Sequence, residues 1–157
     1  MPFKRPEKLS GDKVSTLEVV VHAILWLQRN GYKPSEVCCI YPTNPLLLTE
    51  DLKISLKSLK TRKWQYVFSA TTFEYSIFRS IKKNKNNKLE MVFPKISNNR
   101  SQDIKEAYHD AGQFYWGTVK TWLNKKKFFG KNSKMTLLPS WRVQDIDTMN
   151  DWKKAEI

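Results

Sequence analysis

The feature that most constrains the fold is a repeated pairing of an amphipathic helical segment with a short, wholly apolar run. Residues 16–30 place apolar side chains at helical spacing, and residues 37–41, VCCIY, form a continuous apolar run. Such a run is typical of a strand covered on both faces, as in the sheet of an α/β protein. A second pair follows, with an amphipathic helix over residues 49–60 and a strand over residues 66–72. We therefore predict β/α units on a mainly parallel sheet.

The second half of the chain adds shorter elements to this pattern. Residues 77–82 and 88–93 flank the turn-rich sequence KNKNN and predict a hairpin. Residues 111–117, AGQFYWG, predict an aromatic strand, and residues 135–138 predict a further strand. A short helix is expected over residues 119–126 and a last helix from Asp151 onward.

The composition favours one packed domain and excludes several classes of protein. Apolar side chains make up 40% of the 157 residues, too many for a disordered chain, although the formal net charge is +13. Only 5 residues are glycine, and the sequence has no glycine-rich phosphate-binding motif. No apolar run is long enough to span a membrane. We predict a single domain over residues 1–157 and no membrane partner.

The two cysteines indicate the compartment. Cys38 and Cys39 are adjacent in an apolar run, where neighbouring side chains point to opposite faces of a strand and are poorly placed to bridge. We interpret them as buried thiols in a reducing environment. The first residues carry no apolar stretch of the kind found in secretory signals. We therefore expect a cytoplasmic protein.

The positive charge leaves two interpretations. A chain of charge +13 is attracted to polyanions at low salt, which would suit a nucleic-acid-binding face. However, the lysines are spread among Asn and Ser residues, and no helix-turn-helix, finger or RNP-type motif accompanies them. We favour a lysine-rich solvated surface and expect no nucleic acid as partner.

The sharpest chemical signal is the sequence QDIDT at residues 144–148. Asp145 and Asp147 are two residues apart in an extended stretch, so both carboxylates can face the same side with Ile146 in the core. Two convergent carboxylates suit Mg²⁺, which keeps several waters and is completed by substrate phosphates. The alternative is the start of a helix, with Asp147 or Thr148 as its cap.

Two loops also carry polar groups. The loop PTNP, residues 42–45, follows the first predicted strand, and ligands bind at the carboxyl ends of strands in α/β sheets. Arg100 could bind a carboxylate through its planar fork, or belong to a surface loop with local hydrogen bonds. His109 lies in a polar stretch and is a candidate site residue, whereas His22, near the apolar stripe of the first helix, is better explained by packing.

Taken in order, these segments resemble a known family. The matching motifs are RPEKL at 5–9, IYPTNPL at 40–46, RSQD at 100–103, AYHDAGQFYWG at 107–117 and VQDIDT at 143–148. Together they are similar to the acylneuraminate cytidylyltransferases, the CMP-sialic acid synthetases. The stretch at 107–117 most resembles the pseudaminic acid branch of that family. The resemblance covers essentially the whole chain.

The resemblance implies a nucleotidyltransferase with a Rossmann-like α/β fold of the nucleotide-diphospho-sugar transferase type. Its substrates would be CTP and a nonulosonic acid, a nine-carbon 2-keto acid sugar, and its products the CMP-sugar and pyrophosphate. Asp145 and Asp147 would hold Mg²⁺ as the catalytic pair. The implied substrate-binding residues are Tyr41, Thr43, Asn44, Arg100, Gln102, His109 and Gln113. Many sialic acid members have Gln and Ser in place of Tyr41 and Asn44, so the sugar is left open between the two types.

The resemblance also implies partners. Family members are typically dimers, so a homodimer is expected, with the hairpin supplying much of the contact. Family members begin with a strand and a basic loop that cradles the triphosphate, and this sequence starts inside what would be the third β/α unit. We therefore expect an incomplete cytidylyltransferase domain that is impaired or inactive alone, or that receives the missing segment from a separate chain. The alternative is a non-catalytic relative that serves as a sugar-binding or subunit-pairing module.

Overall fold

A computed structural model describes residues 3–95 and 104–156 of the chain. The α-helices are α1 (Thr16–Arg29), α2 (Thr49–Lys60), α3 (Val119–Leu123) and α4 (Met149–Ala155). The strands are β1 (Glu36–Ile40), β2 (Tyr66–Thr72), β3 (Ile81–Lys83), β4 (Leu89–Met91), β5 (Tyr108–Thr118) and β6 (Ser133–Leu137). Within the described residues, no helix is both long enough and apolar enough to cross a lipid bilayer.

The larger sheet is mixed in direction. Its strand order is β1-β5-β2-β6, and β5 runs antiparallel to β1, with Cys39 opposite Tyr115. Strands β2 and β6 run parallel, as two hydrogen bonds show. Gln65 donates to Asn132 where both strands begin, and Leu138 donates to Ala70 near their carboxyl ends. The predicted α/β class is confirmed. The sheet also contains a long antiparallel strand whose direction the sequence pattern does not reveal.

The predicted hairpin is present and shorter than expected. Strands β3 and β4 pair antiparallel as a separate two-stranded sheet. The first residues of the predicted hairpin, Ile77–Arg79, form a 3₁₀ turn instead. Lys82 forms an exposed ion pair with Glu90 across the two strands, at 3.8 Å.

Two helices begin with a complete capping box. Ser15 accepts a hydrogen bond from the peptide N–H of Glu18 and caps α1, while Thr148 and Asp151 form the same arrangement at α4. At α2, Leu48 occupies the cap position, no side-chain cap bond forms there, and Thr49 is the first helical residue.

The chain divides into two compact units. The first comprises residues 1–42, 48–68 and 113–136. Its core is aromatic: Tyr66 and Trp122 have no exposed surface and pack edge to face at 5.1 Å, and Phe128 lies against both rings. The indole N–H of Trp122 donates to the carbonyl of Val37 at 3.3 Å, so the largest core side chain is also hydrogen-bonded.

The second unit comprises residues 43–47, 69–112 and 137–157. Most of its buried residues are small, with Ser69, Ala70 and Ala111 almost or fully without exposed surface, and Leu138 is buried as well. The buried hydroxyl of Thr71 donates to the carbonyl oxygen of Leu138 at 2.9 Å. This unit holds the hairpin, the QDIDT segment and α4.

Candidate active site

The predicted catalytic carboxylate Asp145 is fixed by a residue 102 positions away in the sequence. Thr43, in the loop that follows β1, donates its hydroxyl to Asp145 Oδ1 at 3.0 Å. Asp145 lies beyond the 3₁₀ turn Ser140–Arg142, which follows β6, and it is half-buried. The bond therefore orients one oxygen of a carboxylate that is still partly exposed to solvent.

A glycine completes this arrangement. Gly112 has φ +64°, and a Cβ at that position would lie 3.0 Å from Asp145 Oδ2. Asn44 donates its side-chain amide to the Gly112 carbonyl at 3.1 Å, and the Gly112 N–H donates to Asp110 Oδ1 at 3.1 Å. We call Thr43, Asn44, Gly112 and Asp145 the carboxylate cluster. Sequence reasoning did not assign Gly112 to the site, although a glycine inside a strand pattern often marks a close approach.

The rest of the QDIDT segment divides between the site and the last helix. Asp147 is exposed, and Ile146 is half-buried rather than part of the core as predicted. Thr148 caps α4, so the helix-start interpretation holds for that residue while Asp145 belongs to the carboxylate cluster. The Thr148 hydroxyl bonded to Asp151 lowers the pKa of the Asp151 carboxyl.

The donor set of the carboxylate cluster fits a hard cation. Across residues 3–95 and 104–156, no group of three or more His, Cys, Asp or Glu side chains is placed to hold a metal. A metal at Asp145 would therefore depend on one or two carboxylates, with waters and substrate oxygens as its other ligands. That is the coordination in which Mg²⁺ is held in phosphate-binding enzymes.

The other candidate residue of the second unit lines a cavity. His109 borders a cavity of about 860 Å³ together with Phe73, and their rings lie 4.7 Å apart. The Nδ1 of His109 is 2.8 Å from the carbonyl oxygen of Asp110. Because a carbonyl only accepts, Nδ1 carries the proton and the Nε2 of the neutral ring can accept a hydrogen bond from a ligand.

Of the remaining predicted residues, two lie in the first unit and two lie outside the described residues. Tyr41 lies in the first unit, where its hydroxyl is 2.6 Å from the Thr16 hydroxyl and its N–H donates to the carbonyl of Gln113 at 3.0 Å. Gln113 has no exposed surface. Arg100 and Gln102 lie outside the described residues. Substrate binding by these four residues stays a prediction.

The cysteines of β1 offer no reactive thiolate. Both are free and half-buried, and burial raises the pKa of Cys38 to about 12 and that of Cys39 to about 11. Thiols with such pKa values stay protonated at neutral pH and are poor nucleophiles. This agrees with the interpretation of the pair as structural thiols.

Comparisons with known proteins found relatives that are all named as cytidylyltransferases. No family model matches the chain. Two pseudaminic acid cytidylyltransferases of Campylobacter jejuni are each 42% identical over 156 residues, which is 99% of this chain and 67% of the relative. A Helicobacter pylori protein named as a pseudaminic acid cytidylyltransferase and UDP-2,4-diacetamido-2,4,6-trideoxy-beta-L-altropyranose hydrolase is 35% identical over 90% of this chain and 27% of its own length. N-acylneuraminate cytidylyltransferase B of Danio rerio is 24% identical over 98% of this chain and 35% of its own length.

The comparison of structures supports the fold. The 4-diphosphocytidyl-2C-methyl-D-erythritol synthase of Anaerococcus prevotii superposes with a TM-score of 0.53 at 11% identity, covering 92% of this chain and 67% of that chain. At this identity the likeness concerns the fold alone, and it supports the predicted Rossmann-like α/β fold. The Campylobacter jejuni relatives, which the chain matches over two thirds of their length, provide the closer link. The chain belongs to the pseudaminic acid cytidylyltransferase family, a family of cytidylyl-transferring enzymes.

Proposed function

We propose that this chain acts in cytidylyl transfer from CTP to a nonulosonic acid of the pseudaminic or sialic acid type. The observation that carries the proposal is the carboxylate of Asp145, held by Thr43 beside a glycine that leaves it room. It occurs in a chain 42% identical to two pseudaminic acid cytidylyltransferases.

The reaction joins the sugar to the nucleotide through a single phosphoryl displacement. The anomeric hydroxyl oxygen of the sugar acid attacks the α-phosphorus of CTP in line. The bond from the α-phosphorus to the bridging oxygen breaks, pyrophosphate leaves with the electron pair, and the hydroxyl proton is lost to solvent or a base. Negative charge builds on the phosphate oxygens during this step, so catalysis depends chiefly on positioning and on electrostatic stabilisation.

In this proposal Asp145 holds Mg²⁺, with Asp147 as the second predicted carboxylate. A bound Mg²⁺ would neutralise the charge that develops on the phosphate oxygens. Thr43 keeps Oδ1 of Asp145 in a fixed direction, which lowers the entropy lost when the carboxylate engages a ligand. The half-buried Asp145 keeps part of its surface in contact with solvent, and Asp147, two residues further on, is exposed.

The hydrogen bonds of Thr43 and Asn44 support a role in shaping the cluster. Asn44 fixes the backbone of Gly112, and Thr43 fixes Asp145, so both act on the metal side of the proposed site. Contact of these two residues with the sugar, which the family resemblance implies, would use their remaining surface. His109 and the cavity it lines then form the side of the site that receives the sugar.

A turnover assay tests the proposal. The chain is incubated with CTP, MgCl₂ and pseudaminic acid, and both the CMP-sugar and the released pyrophosphate are measured. Asp145→Asn is expected to lower metal-dependent turnover about 100-fold or more, as removal of a transition-state charge partner does. Glu50→Gln, which removes an exposed carboxylate that pairs with Lys53 on α2, is the matched control and should leave turnover unchanged. Full activity in Asp145→Asn would show that the assignment is wrong.

The same assay separates catalysis from binding alone. The expectation that the isolated chain is a weak catalyst stays a prediction, and the parent rate tests it directly. If the chain forms no product and still binds pseudaminic acid in calorimetric titration, the sugar-binding alternative replaces the catalytic proposal. Sedimentation equilibrium of the same sample tests the proposed homodimer.

A further inference from the structure

The cavity that His109 borders lies where two parallel strands end. Thr71 and Thr72 close β2, and Ser140 and Val143 come after β6, and all four line the cavity. The carboxyl ends of parallel strands are the usual ligand-binding edge of an α/β sheet. The rim is held by the Leu138 N–H, which donates to the carbonyl of Ala70 at 2.8 Å.

The described residues that line the cavity carry a small positive charge. Among them Arg79 and Lys154 are positive and Glu74 is negative, with His109 counted as neutral. The formal charge of these described residues is +1, which balances a single carboxylate. CTP, with about four negative charges at neutral pH, would meet too little positive charge here to offset its desolvation. The charge thus favours a monocarboxylate over a triphosphate.

The two cations approach the cavity from different elements. Arg79 ends the 3₁₀ turn Ile77–Arg79, and Lys154 lies in the last turn of α4. A guanidinium presents a planar fork that matches the two oxygens of a carboxylate, and an ammonium adds a point charge on a flexible stem. A carboxylate between two such groups can bond to both.

The other walls of the cavity suit a sugar. Phe73 and Tyr75 are large hydrophobic side chains with 39% and 85% of their surface exposed, and both line the cavity. Ligand sites commonly combine apolar walls with a few polar groups that fix orientation. Hydroxyl groups are supplied by Ser76, Ser80 and Ser140, which can donate to or accept from the hydroxyls of a ligand. The volume of about 860 Å³ lies within the range of small-molecule sites.

We propose that this cavity binds the sugar acid, and that Arg79 and Lys154 recognise its carboxylate. The inference rests on the proposed function for the identity of the sugar and adds to it the location of the acid group. Arg79 and Lys154 are thereby specificity-determining residues that separate a keto acid sugar from a neutral sugar. Neither residue was among the sequence predictions.

Calorimetric titration of the whole chain tests the proposal. Pseudaminic acid, its carboxamide analogue, in which the acid is neutral, and CTP are titrated separately into the parent chain, Arg79→Gln and Lys154→Gln. Each variant is expected to bind pseudaminic acid about tenfold more weakly, because it loses a charged hydrogen bond. The carboxamide should bind weakly to the parent chain and equally weakly to both variants. CTP affinity should be the same in all three proteins.

The control is Lys153→Gln, which removes the neighbouring exposed lysine of α4 and the same amount of charge. It should retain parent affinity for pseudaminic acid. The proposal is overturned if both cavity variants bind pseudaminic acid like the parent, if Lys153→Gln weakens binding equally, or if CTP affinity falls instead. It is also overturned if the parent binds no pseudaminic acid at millimolar concentration.

These outcomes are independent of the transfer reaction. Carboxylate-dependent binding that is lost in both variants, in a chain that transfers no cytidylyl group, supports the cavity assignment and removes the catalytic proposal. The opposite outcome is that the chain transfers the cytidylyl group with the same KM for the sugar acid in the parent, Arg79→Gln and Lys154→Gln. That result supports the catalytic proposal and contradicts the assignment of the cavity.

Discussion

Two glycines of strand β5 serve opposite purposes. At Gly117 a Cβ would lie 2.7 Å from Trp122 Nε1 and 2.8 Å from Tyr66 Cε1, against rings that have no exposed surface. At Gly112 a Cβ would lie 3.0 Å from Oδ2 of the half-buried Asp145, at the far end of that side chain. The first glycine therefore permits close packing, and the second makes room for a chemical group.

The difference shows how one strand can serve both stability and chemistry. Around Gly117 the neighbours are large rings in a dense aromatic cluster, where an added atom has nowhere to go. Around Gly112 the neighbour is a half-buried carboxylate held by the hydrogen bond from Thr43, so an added atom is expected to displace the carboxylate at a smaller cost in stability. A perturbation of the first region should therefore appear in unfolding experiments, and a perturbation of the second in ligand binding.

The largest effect is expected from Trp122→Ala in the aromatic core. This change removes a fully buried ring that touches Tyr66 and Phe128, together with its hydrogen bond to Val37. The free energy of unfolding should fall by about 3–5 kcal/mol, as for other large-to-small core changes. Urea denaturation followed by circular dichroism measures it. Trp141→Ala, at a side chain with 77% of its surface exposed, should change it by less than about 0.5 kcal/mol.

The next largest effect is expected from Gly117→Ala. The added methyl group overlaps two buried rings, so the free energy of unfolding should fall by about 1–3 kcal/mol. Gly11→Ala is the matched control, because nothing lies within 4 Å of a Cβ at that position. Equal stability of the two variants would contradict the close packing described at Gly117.

Gly112→Ala should separate the cost of backbone strain in stability from the effect on metal binding. Its positive φ costs an alanine about 1–2 kcal/mol, and the added Cβ presses on Asp145. Gly31→Ala, with φ +83° and nothing within 4 Å, carries the strain alone. Both variants should lose similar stability, whereas only Gly112→Ala should weaken Mn²⁺ binding, by about tenfold if the carboxylate shifts. Electron paramagnetic resonance of free Mn²⁺ measures this affinity. If Gly112→Ala bound Mn²⁺ with the same affinity as the parent chain, Gly112 would not contribute to the site.

The sequence predicts those features that depend on local pattern. The alternation of amphipathic helices and apolar runs identifies α1, β1, α2 and β2, because hydrophobic periodicity reflects burial within each element. Strand β5 is predicted over residues 111–117 and observed at Tyr108–Thr118. Its first residues are polar and join the strand through backbone hydrogen bonds, which leave no apolar signal. Its antiparallel direction depends on the connection, which no pattern within the strand encodes.

The site divides in the same way. Asp145 is predicted, because the spacing of two carboxylates is a local signal. Three further residues, Gly112, Arg79 and Lys154, were not predicted. Their roles depend on segments that are far apart in the sequence and meet only in the folded chain. Thr43 was expected to border the sugar, and its hydroxyl donates to Asp145. Tertiary approach, which a single sequence does not display, decides all of these roles.

The smallest expected change in stability is the pH dependence that comes from the two capping boxes, one in each unit. The hydroxyl of Ser15 bonded to Glu18 lowers the pKa of that carboxyl from its ordinary value, and the Thr148 hydroxyl lowers the pKa of the Asp151 carboxyl in the same way. A carboxyl whose pKa is lower in the folded state stabilises the fold above its unfolded pKa. That contribution is lost as pH falls through the folded pKa. Glu18 is exposed and Asp151 is only half-buried, so the change should be small.

Urea midpoints measured between about pH 6 and pH 3 test this dependence. Glu18→Gln and Asp151→Asn should each start from a lower midpoint at pH 6 and lose less than the parent on acidification, because the titrating cap is gone. Glu50→Gln is the control, since Glu50 lies in the first turn of α2, where no side-chain cap bond forms. Its midpoint should follow the parent curve. Suppose that the urea midpoint of Glu18→Gln depends less on pH than that of the parent, while the midpoint of Asp151→Asn depends on pH as the parent does. Acid would then weaken the capping box of α1 and leave that of α4, the helix that carries Lys154, unchanged.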